Sequence, residues 1–186
     1  MKKILKITAA LSVIAIATFG LAACGDTNDS DEAIVQEEGQ VTAQEEPTEA
    51  YDIMEGVTTE SVEGDQIITG NGWRLVMPDT EDWEIEQIED DCFRVYMVAA
   101  DKDGFGGDLV TIRAFASGDT EYKDFPSYAM AGYLEKYGKT FVAIFPTDVR
   151  FNPDDEGQMV LYNSLLEHVQ RISKDNADSP FTVVAE

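Results

Sequence analysis

An unbroken apolar run, Phe141, Val142, Ala143, Ile144 and Phe145, closed by Pro146 and followed by a long amphipathic stretch, constrains this chain more than any other feature. A short run rich in β-formers and ended by proline predicts a buried strand rather than a helix. After the turn Pro146, Thr147, Asp148, Val149, Arg150, the segment Asn152, Pro153, Asp154, Asp155, Glu156 predicts a helix start. Asn accepts from amides that lack a helical partner, proline suits the first helical position, and carboxylates favour the positive end of the helix dipole. Met159, Tyr162, Leu165, Leu166, Val169 and Ile172 then recur three and four apart, so one helical face is apolar and needs a sheet to cover it.

The remaining strands are expected on both sides of that frame. Trp73, Leu75 and Met77 alternate before Pro78; Trp83, Ile85 and Ile88 follow more weakly. Residues 92–100 place Phe93, Val95, Met97 and Ala99 on one face. Residues 109–116 set Val110, Ile112 and Ala114 against Leu109, Thr111, Arg113 and Phe115. Short neighbouring strands imply antiparallel pairing. Asp124, Phe125 and Pro126 are expected to open a short helix to about Tyr137, closed by Gly138, with Met130, Tyr133, Leu134 and Tyr137 inward and Tyr128 exposed on the opposite side. Residues 181–184 either add a short edge strand or trail off. The expected class is α+β: an antiparallel sheet of about five to six strands, a long C-terminal helix and a shorter helix.

The N-terminal residues carry the most specific signal. Lys2, Lys3 and Lys6 precede an apolar stretch, and Leu21, Ala22, Ala23 and Cys24 end it. This resembles a bacterial lipoprotein signal, which implies cleavage after residue 23 and a diacylglyceryl Cys24 anchored in the membrane. A span of this length is borderline for crossing a membrane, so the alternative is an uncleaved anchor. Either reading places the folded part outside the cell, because the lysines stay in the cytoplasm. Two acyl chains such as palmitate hold a protein stably where one does not.

Residues 24–52 are expected to be a disordered acidic tether, since no Lys, Arg or His occurs between Gly25 and Gly72 and apolar residues are few. A coil of that length averages roughly 30 Å between its ends. Residues 53–186 are then one α+β domain, starting somewhere between Tyr51 and Thr69. The formal charge is -24; without the three leader lysines, ten basic residues face 37 acids, or -27. Such a charge repels nucleic acid and anionic lipid, and turns the search for partners towards proteins or envelope components of basic character.

Chemistry is thinly represented. His168 falls at the border of the long helix's apolar face and is expected to be structural, since a catalytic His needs a nucleophile or carboxylate within reach. With Cys24 assigned to lipid, Cys92 is expected to be a buried, small apolar side chain in a strand. No cofactor is implied, and one His with one Cys is too few for a zinc site. Asp101, Asp103 and Asp108 are spaced for a hard cation such as calcium, but Asp-Gly and Gly-Gly pairs are also hairpin chemistry, the favoured reading. The binding candidates are Thr147, Asp148 and Arg150, where the chain leaves the central strand for a helix N-terminus able to receive an anion or a partner's carboxylate, although the favoured reading is that Thr147 and Asp148 satisfy local backbone groups in the turn; the exposed Tyr128 is a further candidate.

Asn71, Gly72, Trp73, Arg74, Leu75, Val76, Met77 and Pro78, followed by Trp83, resemble the opening of PsbP-like domains. Residues 107–112 and the run Phe145, Pro146, Thr147, Asp148, Val149 resemble segments of small Gram-positive lipoproteins with the same layout. The resemblance covers residues 69–173 and implies a PsbP-like α/β/α sandwich, a layout shared with a Ran-binding nuclear import factor and used by binding modules. No site residue comes from it. The expected function is therefore a lipid-anchored extracytoplasmic binding module without catalysis. The rivals are a carboxylate-dependent enzyme acting on envelope glycan and a calcium-dependent adhesion or solute-capture domain.

Overall fold

Trp73, Leu75 and Met77, which alternate in the sequence, are all fully buried, and they set the inner face of the first of two sheets. In the computed structural model, which describes residues 51–184, the elements in chain order are β1 (Thr58–Val62), β2 (Asp65–Gly70), β3 (Trp73–Pro78), β4 (Trp83–Glu89), β5 (Cys92–Met97), α1 (Val98–Lys102), β6 (Asp108–Ala116), β7 (Tyr128–Leu134), β8 (Lys139–Ile144), α2 (Glu156–Val169) and β9 (Phe181–Val183). The strands form a four-stranded sheet, β1-β2-β3-β9, and a five-stranded sheet, β4-β5-β6-β8-β7. Each neighbouring pair is antiparallel. The protein is mixed α+β, with sheet dominating, and it has more strands than the alternation of the sequence led one to expect.

An aromatic stack joins the two sheets. Trp73 of β3 lies against Phe93 of β5 at 4.7 Å between ring centroids and against Phe181 of β9 at 5.9 Å. Phe141 of β8 reaches Phe181 at 5.7 Å. The apolar face of α2 contributes Tyr162, Leu165 and Val169 to the same core, and Ile172 just past the helix joins them. Tyr51 is also in this core, and its hydroxyl donates to Asn71 O at 2.7 Å. Asp52 accepts from Gln87 Nε2. The folded part thus takes in two residues assigned in advance to the tether. The signal, Cys24 and the rest of the tether lie outside the described residues.

Three expectations are corrected, and two strands are found that the sequence did not mark. The short helix over residues 124–137 is instead β7, flanked by a 3-10 turn at Glu121–Asp124 and another at Glu135–Tyr137. Tyr133, placed inward by the helical reading, is 55% exposed. Helical spacing and a bulged strand share these residues, because the register with β8 shifts between Met130 and Gly132 and breaks the two-residue period. Pairing decided the outcome, since β8 is buried along most of its length and would otherwise keep an unsatisfied edge. Gly138 does adopt the left-handed conformation, but it closes a 3-10 turn.

The strand expected over residues 92–100 stops at Met97, and the connection to β6 is the helical turn α1 plus a glycine loop, not a tight hairpin. Gly107 has a φ of +65°, and a Cβ there would run into the carbonyl oxygen of Met97. The long helix begins three residues later than Pro153 predicts. Asp155 is its cap, accepting from Gln158 N at 2.9 Å, and Asn152 closes the preceding turn by accepting from Asp154 N at 3.1 Å. Finally, β1 and β2 carry no legible alternation. Every residue of β1 is exposed, so it has no buried face to mark it.

Candidate functional site

At the end of the five-stranded sheet where β6 begins and β8 ends, three segments leave a cleft of about 330 Å³. Its floor is Val110, Thr111 and Ile144; its walls are Phe125 and Pro126 on one side and Phe145 and Pro146 on the other; Thr147, Arg150 and Asp108 bring polar groups to it. This volume lies at the small end of the range for ligand pockets, and the lining is about evenly polar and apolar.

Each wall is held from behind. Phe145 N donates to Ser127 O at 3.0 Å, which keeps the Phe125–Pro126 wall beside the chain leaving β8. Gly107 N donates to Arg150 O at 3.1 Å, fixing the backbone of Arg150 against the glycine loop. Tyr162 of α2 donates its hydroxyl to Asp108 O at 2.6 Å, and its ring meets Phe151 at 5.1 Å. Burial, then the negative charge of Asp108, pushes the Tyr162 phenol up to about 12, with Arg150 opposing. At neutral pH it is a proton donor that pins helix to sheet.

The charges of the site are unequally matched. Asp108 Oδ1 accepts from Arg94 Nη1 at 3.0 Å, and Arg94 also holds Glu86 at 2.6 Å and Asp101 at 3.2 Å. Burial opposes the Arg94 charge, but the hydrogen bonds it donates to Asp108 and Glu86 more than offset it, and its pKa rises. Among the described residues Arg150 has no such acid. Its Nε is buried and has no hydrogen-bond partner among the described residues. Two cations near this sheet end therefore differ: Arg94 is saturated with carboxylates, whereas Arg150, which lines the cleft, keeps a buried Nε without a partner among the described residues.

Of the residues singled out in the sequence, the structure brings Thr147 and Arg150 together at the cleft. Asp148 is exposed and lies off its lining. Tyr128, opposite Ile144 in the β7–β8 register, makes an edge-on contact with Tyr122 on the sheet surface, outside the cleft. The helix amides expected to receive an anion are set back from the loop by the Asn152–Asp155 turn, and Asp155 already occupies the amide of Gln158. Sequence reasoning missed Thr111, Phe125 and Pro126, which only the sheet order brings near Arg150. No local pattern marks Thr111. The Phe-Pro pairs at 125–126 and 145–146 were a visible signal, read only as punctuation.

The acidic loop has a structural arrangement of its own. Asp101 and Asp108 share Arg94, and Asp103 Oδ2 accepts from Gln158 Nε2 at 3.0 Å, on a different element. Among the described residues no three His, Cys, Asp or Glu side chains are grouped to hold a metal ion. His168 lies away from the cleft: one ring nitrogen, Nε2, bonds Val76 O at 2.8 Å and the other, Nδ1, meets Arg171 at 2.7 Å, which ties α2 to β3. Cys92 is buried in β5, as its place in a strand implies, and burial together with the nearby Asp91 charge pushes its thiol up to about 12.

No protein-family model, no curated protein and no solved structure matches this chain. No helix among the described residues is long and apolar enough to cross a membrane.

Proposed function

We propose that this protein is a lipid-anchored binding module of the extracytoplasmic membrane face, held by an acylated Cys24 on an acidic tether, and that the cleft at the β6–β8 end is its binding site. The observation that carries the reading is Arg150, which lines the cleft and whose Nε is buried without a hydrogen-bond partner among the described residues. A donor buried without an acceptor destabilises the protein, and such a group fits a protein whose acceptor arrives with a ligand. The leader with its Lys2, Lys3, Lys6 and the residues up to Cys24 supports the anchor. Packing of Tyr162, Leu165 and Val169 into the core supports a PsbP-like arrangement of sheet against long helix, with a strand in place of the shorter helix. Its partner, reached from the membrane, is a small molecule or an envelope component, and the protein performs no chemistry on it.

Cells producing the full chain test the anchor. The wild-type protein should stay in washed membranes, be degraded when intact cells meet protease, and carry an acylated Cys24 by mass spectrometry. Cys24→Ser should enter the soluble fraction while melting at the same temperature. A variant that stays in washed membranes, or a wild-type protein shielded from protease, overturns the anchor.

A further inference from the structure

We propose that the cleft selects a monocarboxylate with an apolar body, and that Arg150 is the residue that reads its charge. The inference rests on the cleft being the binding site and adds what it takes. A planar guanidinium fork matches a carboxylate, and Nε is one of the two donors that make such a pair bidentate. In Arg150 this nitrogen is buried and unmatched, whereas the comparable Nε of Arg94 donates to Glu86 at 2.8 Å. Thr147 and Thr111 add neutral hydroxyls, and Phe125, Pro126, Phe145 and Pro146 offer apolar surface for the rest of the ligand.

The charge surroundings limit the ligand to one negative charge. Asp108 lines the same cleft, and although Arg94 takes one of its oxygens, Asp108 still opposes a dianion. The chain as a whole is at -24. One carboxylate is matched by one guanidinium, while a phosphate would leave a second charge uncompensated in a desolvated site. Both a free organic acid and the C-terminus of a peptide carry this chemistry.

The test uses full-length protein in detergent micelles and isothermal titration with 3-phenylpropionate, 3-phenylpropionamide and phenyl phosphate. The acid should bind, the amide should bind at least about tenfold more weakly, because it loses a charged hydrogen-bond partner, and phenyl phosphate should bind more weakly than the acid. Arg150→Met should reduce acid binding at least about tenfold and Arg150→Lys by less, while the melting temperature of Arg150→Met stays at or above wild type, because the variant no longer buries an unpaired donor. N-acetyl-Gly-Phe, with its free C-terminus, identifies the source: binding tighter than 3-phenylpropionate assigns a peptide end, weaker binding a free acid. An amide that binds as well as the acid overturns the carboxylate assignment and leaves a neutral binding cleft standing. Acid binding unchanged in a folded Arg150→Met also overturns it, as does phenyl phosphate binding more tightly than the acid. No binding of any probe rejects the assignment, whereas loss of membrane anchoring alone rejects only the module's location.

Discussion

The indole Nε1 of Trp73 donates to the carbonyl of Ile53 at 2.6 Å, twenty residues earlier in the chain and fully buried. One hydrogen bond thus fastens the N-terminal end of the described residues to the aromatic stack that joins the two sheets. Neighbouring bonds work on the same segment: Asn71 Nδ2 donates to Asp52 O, and Ile53 N donates to Asp90 O.

Trp73→Phe keeps an aromatic ring but leaves the Ile53 carbonyl buried without a donor and opens space beside Phe93 and Phe181. The expected loss is about 2–4 kcal/mol, combining an unsatisfied buried acceptor with a partial cavity. Urea unfolding followed by fluorescence of Trp83 measures it. A loss under about 0.5 kcal/mol would mean the bond contributes nothing net.

Stability should fall on the alkaline side. The folded state raises the Cys92 thiol from its ordinary 9.0 to about 12, and the Tyr162 phenol from 10.0 to about 12. Below those ordinary values both states hold these protons and the native protein keeps its full stability. Between about pH 9 and 12 the unfolded chain loses protons that the native chain retains, so stability declines as pH rises through that window. Tyr51 and Tyr96 are raised by burial too and act in the same direction. Melting temperatures from pH 8 to 11 should drop, and Cys92→Ala should flatten the first part of the fall. The same burial predicts slow alkylation of Cys92 in the native protein and fast alkylation in urea.

Arg94→Met leaves Glu86, Asp101 and Asp108 clustered without their shared cation. The expected cost is about 2 kcal/mol, below the range for a fully buried pair because the Arg94 side chain keeps 20% exposure. Adding 1 M salt should recover part of that loss through screening of the carboxylates. Equal stability of variant and wild type at low salt would show that the network is only a surface ornament.

Gly107→Ala should cost more than Gly56→Ala, although both residues hold a φ near +65°. Both substitutions incur roughly 1–2 kcal/mol for a left-handed L-residue. Only at Gly107 does the new methyl meet a backbone carbonyl, that of Met97, whereas Gly56 faces open space. Since Gly107 N holds Arg150 O, the cleft should also loosen, and hydrogen exchange at Gly107 should accelerate in a variant that still folds. Equal melting temperatures for the two variants would contradict the close approach.

Much of this architecture is written locally. The alternation of Trp73, Leu75 and Met77, of the strand pairs before and after Asp91, and of Val110, Ile112 and Ala114 depends only on a two-residue period, so it was legible without partners. The apolar face of α2 is likewise a property of consecutive residues. The cleft was half legible: Thr147 and Arg150 are near each other in the chain, but Thr111 and Phe125 reach them only through the β6-β8-β7 order.

What the sequence by itself determined, then, is where β-strands with a buried face and the amphipathic helix lie, because their side-chain periods are set by backbone geometry alone. Tertiary structure decided that residues 128–134 are a strand, that the fully exposed β1 pairs at all, and that Arg94 collects three carboxylates while Arg150 collects none. The reason is physical: an unpaired strand edge and an unmatched charge are satisfied by groups distant in the chain, and no local pattern names those groups in advance.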